Sequence, residues 1–251
     1  MQNKVLIGKF AHNLKLIRPV LVEKMGQENA VDFSVKCLAR YREQILPGAP
    51  YIGGNANSFT ENLVQTSTAL AIYHELQDRG CALDEAGEII YRGMMRVAGS
   101  LPRPAMRLYG LWLYSRTRYP RWRREAQQSM LRRYAEDWVF TFVEGDGEPF
   151  DFGLDMYECG IVKYLHREGA AELTPYLCAV DYITHAAMGI ELRRKQTLAY
   201  GCEKCDFRFR VHGQPADPTW PPAFPEKDCG CVAQPGSVFS VGAPGLRISM
   251  Q

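Results

Sequence analysis

Residues 138–157 read WVFTFVEGDGEPFDFGLDMY and mark the point where the apolar residues of the chain change their spacing. Upstream, apolar residues recur every three or four positions, whereas here aromatic and β-branched residues flank the turn Gly145-Asp146-Gly147. From Phe150 to Tyr157 apolar and polar residues alternate, which is typical of a strand with one buried face. The stretch therefore predicts a β-hairpin.

The chain downstream of this hairpin predicts two helices and a second hairpin. Gly169 and Gly189 each follow a run of helical apolar spacing, and glycine readily takes the left-handed conformation that ends a helix. Alternation then returns on both sides of Gly201. The resulting order is β-β-α-α-β-β, which we expect to form one antiparallel sheet backed by helices. The predicted elements are helices at 159–168 and 175–188, and strands at 190–198 and 205–211.

The chain upstream of residue 137 predicts helices alone. An apolar stripe at spacings of three and four ends before Pro47, which cannot continue a helix. Ser58-Phe59-Thr60-Glu61 matches the sequence of a capping box, and Asp84 is expected to cap the helix after it. The predicted helices are 27–46, 58–79 and 84–98, with one or two more within 105–136 and a boundary at Tyr119-Pro120.

The last 40 residues differ in composition from the rest. Residues 212–251 hold 7 of the 15 prolines and 5 glycines, so regular structure is disfavoured there. We therefore predict an α+β protein: a mainly helical region (1–136) packed on a small antiparallel sheet region (137–211), and an extended Pro/Gly-rich tail (212–251).

Composition narrows the class of function. The chain has 251 residues, 46% of them hydrophobic and 23% charged, with a formal net charge of +2. This balance gives no general reason to expect nucleic-acid or membrane binding. No apolar run approaches the length of a membrane span, and no signal peptide is recognisable. We expect a cytoplasmic protein that acts on a small molecule; a homo-oligomer is compatible with the sequence.

One segment is strongly basic despite this balance. Residues 103–133 hold nine arginines and a single acid, with tryptophans and tyrosines between them. An RNA-contact or anion-binding surface is one interpretation. A solvated helix face is the interpretation we favour, since no nucleic-acid-binding module is recognisable.

Three side chains on the predicted helix 175–188 point to chemistry. Cys178, Asp181 and His185 stand at i, i+3 and i+7 and therefore share one face. A thiol, a carboxylate and an imidazole on one stripe are able to form a nucleophile with its proton carriers, or part of a metal site. The alternative is a packed thiol, a paired acid and a solvated ring.

Other segments add candidates. Cys159 lies where a strand ends and a helix begins, and amides there lower a thiol pKa. The loop residues Gly53, Gly54, Asn55 and Asn57 precede a helix, and their amides are suited to hold a carboxylate. An ordinary packed thiol and an ordinary turn are the alternatives. Cys202-x-x-Cys205 is half of a four-cysteine zinc site, but the second pair, Cys229-x-Cys231, has an atypical spacing.

Together these segments resemble the L-2-amino-thiazoline-4-carboxylic acid hydrolase family over roughly residues 50–210. The resemblance rests on four segments, of which the last is the most specific. They are Pro50-Tyr51-Ile52-Gly53-Gly54 with Asn57, Glu158-Cys159, Glu172-Leu173 through Cys178-x-x-Asp181, and Arg194–Gly201 with Cys205-Asp206-Phe207-Arg208-Phe209.

The resemblance implies a hydrolase that opens a small cyclic amidine by attack at the ring carbon bonded to two nitrogens and a sulfur. We hypothesise that Cys159 or Cys178 attacks this carbon while Asp181 and Glu158 move protons. Asp206 would hold the amidine, and Arg194 or the Gly53–Asn57 loop would hold the carboxylate, with His185 near the substrate. A metal-activated water is the competing version.

A second class of function remains open from the sequence. A helical body with a small sheet and a cysteine-edged pocket is also compatible with a non-catalytic module that binds a small ligand or a metal, as a sensor or carrier does. The residues identify no cofactor and define no complete metal site. Conversion of the cyclic amidine to a ring-opened product distinguishes the enzyme from the binding module.

Overall fold

A computed structural model describes residues 2–222 of the chain. The described residues form eight α-helices and one four-stranded sheet, so the α+β prediction is confirmed. The helices are α1 (Gln2–Met25), α2 (Gln27–Arg40), α3 (Thr60–Gln77), α4 (Leu83–Gly99), α5 (Arg103–Leu113), α6 (Tyr119–Ser129), α7 (Gly160–Arg167) and α8 (Thr174–Met188). The strands are β1 (Val139–Glu144), β2 (Phe152–Glu158), β3 (Glu191–Arg193) and β4 (Cys205–Arg210).

The sheet is antiparallel throughout, with strand order β1-β2-β4-β3. The predicted β-β-α-α-β-β order is therefore confirmed. Phe140 and Cys205 both pair with Met156, so these three residues form one row across the sheet. β3 is shorter than predicted and ends at Arg193, because the Lys195 and Gln196 amides donate to the Asp206 side chain instead of to the backbone of β4.

Two predicted helix caps are wrong. α3 begins at Thr60 without a side-chain cap, and the Ser58 hydroxyl instead donates to Glu125 at 3.0 Å. α4 begins at Leu83, one residue before Asp84, whose carboxylate accepts a hydrogen bond from Tyr176 of α8. In both cases the side chain that was predicted to cap the helix forms a hydrogen bond with a residue remote in sequence instead.

Close approach between elements sets the position of α8. Gly110 of α5 lies so near α8 that an added Cβ would be 2.6 Å from the Met188 carbonyl oxygen. Gly189 ends α8 with a φ of +69°, as its sequence position predicts. The α8 face that carries Cys178 and His185 is thereby buried against the sheet and α5.

The predicted tail falls mostly outside the described residues. Residues 212–222 contain no helix or strand. The ring of Trp220 lies 5.7 Å from that of Tyr91 and 6.2 Å from that of Tyr176, centroid to centroid. Among the described residues, no helix has the length and apolar character that crossing a bilayer requires.

Candidate functional site

A cavity of about 190 Å³ opens between the segment 51–59, α6 and the turn that leads into β1. We call it the loop pocket. This volume lies below the roughly 300–1,000 Å³ of sites for drug-sized molecules, so the pocket suits a small molecule. The polar side chains of its lining are Tyr51, Asn57, Glu125, Gln128, Ser129, Arg133, Tyr134 and Asp137.

Asp137 is the acid best placed in the loop pocket to exchange a proton. Asn57 donates from Nδ2 to both carboxylate oxygens, at 3.0 and 2.9 Å, and the Trp138 amide donates to Oδ1 at 2.8 Å. Burial raises the pKa of Asp137, and these hydrogen bonds offset part of that effect because they favour the ionised form. The result is an oriented carboxylate with an elevated pKa, which is typical of a general acid or base.

The other two charged groups of the pocket, Glu125 and Arg133, differ in whether a protein partner binds them. Glu125 accepts hydrogen bonds from Arg121 Nε at 2.6 Å and from the Ser58 hydroxyl at 3.0 Å. Arg133 forms no ion pair within residues 2–222. Its guanidinium is therefore available to a bound anion, and guanidinium groups bind carboxylates through paired hydrogen bonds.

Aromatic rings shape the mouth of the pocket. Tyr51 and Tyr134 meet edge to face, with ring centroids 5.8 Å apart. Gly53 has a φ of +108°, and an added Cβ would lie 3.6 Å from the Tyr134 ring. Deeper in, Phe59 stacks on Trp138 at 4.8 Å. The pocket thus combines aromatic walls with two acids and one guanidinium.

Only part of the predicted loop lines this cavity. Gly53 and Asn57 line it, whereas Gly54 and Asn55 do not. The Gly54 carbonyl accepts hydrogen bonds from the Thr60 hydroxyl at 2.7 Å and the Asn57 amide at 3.0 Å. The loop therefore contributes part of the pocket wall and the Asn57 side chain. The backbone amide of Asn57 is occupied by its hydrogen bond within the turn.

The predicted thiols meet elsewhere, in a cluster that also includes Cys205. Thr197 Oγ1 lies 3.9 Å from the sulfur of Cys178 and 3.4 Å from that of Cys205. We call Cys159, Cys178 and Cys205, with Asp181 and Arg194, the thiol cluster. Arg194 donates to the Asp181 carboxylate at 2.8 Å and to the Cys178 carbonyl at 3.0 Å.

Burial raises the pKa of all three thiols in this cluster. Burial raises the pKa of Cys159 to about 12, although the Ile161 and Val162 amides at the start of α7 act in the opposite direction. Burial also raises the pKa of Cys178 well above its usual value, and that of Cys205. Desolvation thus outweighs the helix terminus at Cys159, which argues against the thiolate that its sequence position predicts.

Both ring nitrogens of His185 form hydrogen bonds within the protein. Its Nε2 lies 2.7 Å from the Tyr114 hydroxyl, and its Nδ1 lies 2.6 Å from the Asp181 carbonyl oxygen. Burial lowers the pKa of His185, which favours the neutral ring. The ring connects α8 to Tyr114, the residue that follows α5.

Two of the predicted site acids, Glu158 and Asp206, lie outside both the loop pocket and the thiol cluster. Glu158 pairs with Arg132 at 2.8 Å and Lys163 at 2.5 Å; although burial opposes ionisation, these partners lower its pKa. Asp206 accepts the amides of Lys195 and Gln196, at 2.8 and 2.6 Å. Both carboxylates are engaged in holding neighbouring segments of the protein.

The sequence analysis did not single out Asp137 or Arg133. A weak signal exists, because Asp137 directly precedes the first predicted strand and Arg133 belongs to the basic segment 103–133. Nothing local connects Asp137 to Asn57, 80 positions earlier.

Metal ligands are not grouped in the described part of the chain. Residues 2–222 contain no set of three or more His, Cys, Asp or Glu side chains arranged to hold an ion. Cys229 and Cys231, the second pair of the considered zinc site, lie outside the described residues.

Comparison with known proteins supplies the family. A search among curated proteins and a search among solved structures found no significant match. The sequence profile of the L-2-amino-thiazoline-4-carboxylic acid hydrolases matches residues 61–209. That range includes the thiol cluster, Glu125, Arg133 and Asp137, and it is more than half of the chain. The protein therefore belongs to the L-2-amino-thiazoline-4-carboxylic acid hydrolase family.

Proposed function

We propose that this protein hydrolyses a small zwitterionic cyclic amidine, such as 2-amino-thiazoline-4-carboxylate, in the loop pocket. The observation that carries the proposal is the pairing in one small cavity of Asp137, an oriented carboxylate of raised pKa, with Arg133, a guanidinium without an acid partner in residues 2–222. The substrate has the complementary groups, a basic amidine at one end and a carboxylate at the other.

Charge complementarity assigns each end of the substrate. Arg133 would accept the carboxylate, and the Asp137 carboxylate would face the amidine. The Tyr51 and Tyr134 rings, in edge-to-face contact at the mouth, would form one wall against which the substrate ring packs. This orientation places the ring carbon between the heteroatoms next to Asp137.

The chemistry then needs one water and one proton carrier. Asp137 takes a proton from a water molecule as the water oxygen bonds to the ring carbon. The bond from that carbon to the ring sulfur then breaks, and the sulfur receives the proton held by Asp137. The remaining hydroxyl proton leaves to solvent as the carbon–oxygen double bond forms. The carbon keeps its two nitrogens and the new oxygen, so the product is a carbamoyl-cysteine. Asn57 would keep the carboxylate oriented through these steps.

Covalent catalysis by Cys159 or Cys178, with Asp181 as proton carrier, is a second form of the same function. The convergence of these residues with Cys205 and Arg194 inside the family match supports it. Against it stand the burial of all three sulfurs and their raised pKa values. The mechanism proposed for the loop pocket needs no thiolate, because its nucleophile is water.

The decisive experiment measures turnover of 2-amino-thiazoline-4-carboxylate by release of free thiol and by mass spectrometry of the product. Asp137→Asn should lower kcat by about 100-fold or more, as is usual when a general acid–base group is lost. Glu144→Gln is the matched control, since this acid of β1 pairs with Arg123 of α6 and does not line the pocket. Full activity in folded Asp137→Asn contradicts the assignment of Asp137.

The same assay separates the enzyme from the binding module. A shift in thermal unfolding with the cyclic amidine but without a ring-opened product would favour a sensor or carrier. Product formed by the wild type, with none formed by the heat-denatured protein, supports the hydrolase.

A further inference from the structure

We propose that a groove between α4, α5 and α8 is a second binding site, which takes an anionic amphiphile with a single carboxylate head and a short alkyl chain. The groove shares no lining residue with the loop pocket, so this inference goes beyond the proposed hydrolase. We call it the arginine groove.

The arginine groove has the size and wall chemistry of a site for an apolar chain. Its volume is about 370 Å³, within the range of roughly 300–1,000 Å³ that is usual for small-molecule sites. Met95, Met106 and Ile183 give it apolar walls, and Ala186 and Ala187 of α8 leave room beside them. Methionine side chains adapt to irregular ligands because they are unbranched and flexible.

The charges at its edge specify an anionic head. Arg103 and Arg107 both line the groove, and at i and i+4 on α5 they lie on the same helix face. Both side chains are exposed, and neither forms an ion pair within the described part of the chain. Arg107 also lies over Gly189, with its Cγ 3.5 Å from the position of an added Cβ.

The segment after β4 closes one side. Asp217 and Pro218 line the groove, and Asp217 is not within ion-pair distance of Arg103 or Arg107. The guanidinium groups therefore remain available, while the nearby carboxylate disfavours a second negative charge on the ligand. A ligand with one anionic group and an apolar chain would place its head at Arg103 and Arg107 and its chain against the apolar walls.

The test titrates the full-length protein with sodium decanoate below its micelle concentration at low salt, by calorimetry. We expect one molecule bound per chain, and affinity that falls by up to about fourfold for each methylene removed in octanoate and hexanoate. Decanol should bind at least tenfold more weakly. Arg103→Gln with Arg107→Gln should lower decanoate affinity by about tenfold or more, since each charge-assisted hydrogen bond contributes that much.

Two controls keep the result specific. Arg124→Gln removes an exposed arginine of α6 outside the groove and should leave decanoate affinity unchanged. Ala187→Phe, which fills the groove without changing charge, should abolish decanoate binding while the loop-pocket turnover stays at the wild-type level. Circular dichroism and thermal unfolding check that each variant is folded.

Vesicles distinguish a free amphiphile from a lipid headgroup. Decanoate binding in solution, without retention of the protein on phosphatidylglycerol or phosphatidylcholine vesicles, supports the proposal. Equal affinity for decanol and decanoate, undiminished binding by the double arginine variant, no measurable heat with decanoate, or retention on phosphatidylglycerol vesicles alone would overturn it. None of these outcomes depends on whether the hydrolase assay succeeds.

Discussion

Asn57 donates its side-chain amide to both carboxylate oxygens of Asp137, at 3.0 and 2.9 Å, across 80 positions of sequence. The same Asn57 accepts the Phe59 amide at 2.9 Å and donates to the Ile52 carbonyl at 3.0 Å. One side chain therefore fixes both the loop that walls the pocket and the acid inside it. In the proposed reaction Asn57 is a positioning residue, because it acts through Asp137.

Loss of Asn57 should move the pH dependence of the reaction. Asp137 must be ionised to accept a proton from water, so activity is lost as the pH falls through its pKa. Burial raises that pKa and the Asn57 hydrogen bonds lower it. Asn57→Ala should therefore raise the pKa further and shift the acidic limb of the kcat/KM profile to higher pH. A limb that stays in place or moves to lower pH contradicts the role assigned to Asn57.

Arg133 should act on substrate binding more than on the chemical step. Arg133→Ala should raise KM by about 10-fold or more while kcat changes less, because a charge-assisted hydrogen bond to the substrate carboxylate is lost. The ring without its carboxylate, 2-amino-thiazoline, should be turned over equally by the wild type and the variant. Arg124→Ala is the control. An equal loss with both substrates would show that Arg133 does not bind the carboxylate.

Single cysteine variants test covalent catalysis. Cys159→Ser and Cys178→Ser should each retain most of the wild-type kcat, because the proposed nucleophile is a water molecule activated by Asp137. Steady-state turnover and thermal unfolding are measured together, since both sites are buried. Complete loss of turnover in one folded variant, with trapping of a covalent adduct in the wild type, would assign that thiol as the nucleophile.

Gly110 should be essential for the packing of α5 on α8. An added Cβ would lie 2.6 Å from the Met188 carbonyl oxygen and 2.7 Å from its Cβ. Gly110→Ala should lower the free energy of unfolding by about 1–3 kcal/mol, the usual cost of overpacking. Gly8→Ala in α1 meets no atom within 4 Å and should stabilise the helix by up to about 1 kcal/mol. Urea denaturation compares the two; equal effects would contradict the close approach.

The outcome for the helix ends shows where local rules fail. Gly189 ends α8 as predicted, because left-handed backbone is a property of the residue itself. Ser58 and Asp84 were predicted as caps, yet Glu125 and Tyr176 take their side chains. Side-chain oxygens choose among all donors and acceptors that the fold brings near, and those partners are remote in sequence.

Apolar periodicity and turn residues alone determined the strand and helix order, since they depend on neighbours a few positions away and on backbone freedom. The motif positions likewise sufficed to indicate the family. Tertiary structure decided the surroundings of the acids and thiols. It buried Cys159, and this burial raises the thiol pKa more than the amides of α7 lower it. It also brought Asp137 into hydrogen-bonding distance of Asn57. Desolvation depends on everything packed around a group, which residue spacing along the chain does not encode.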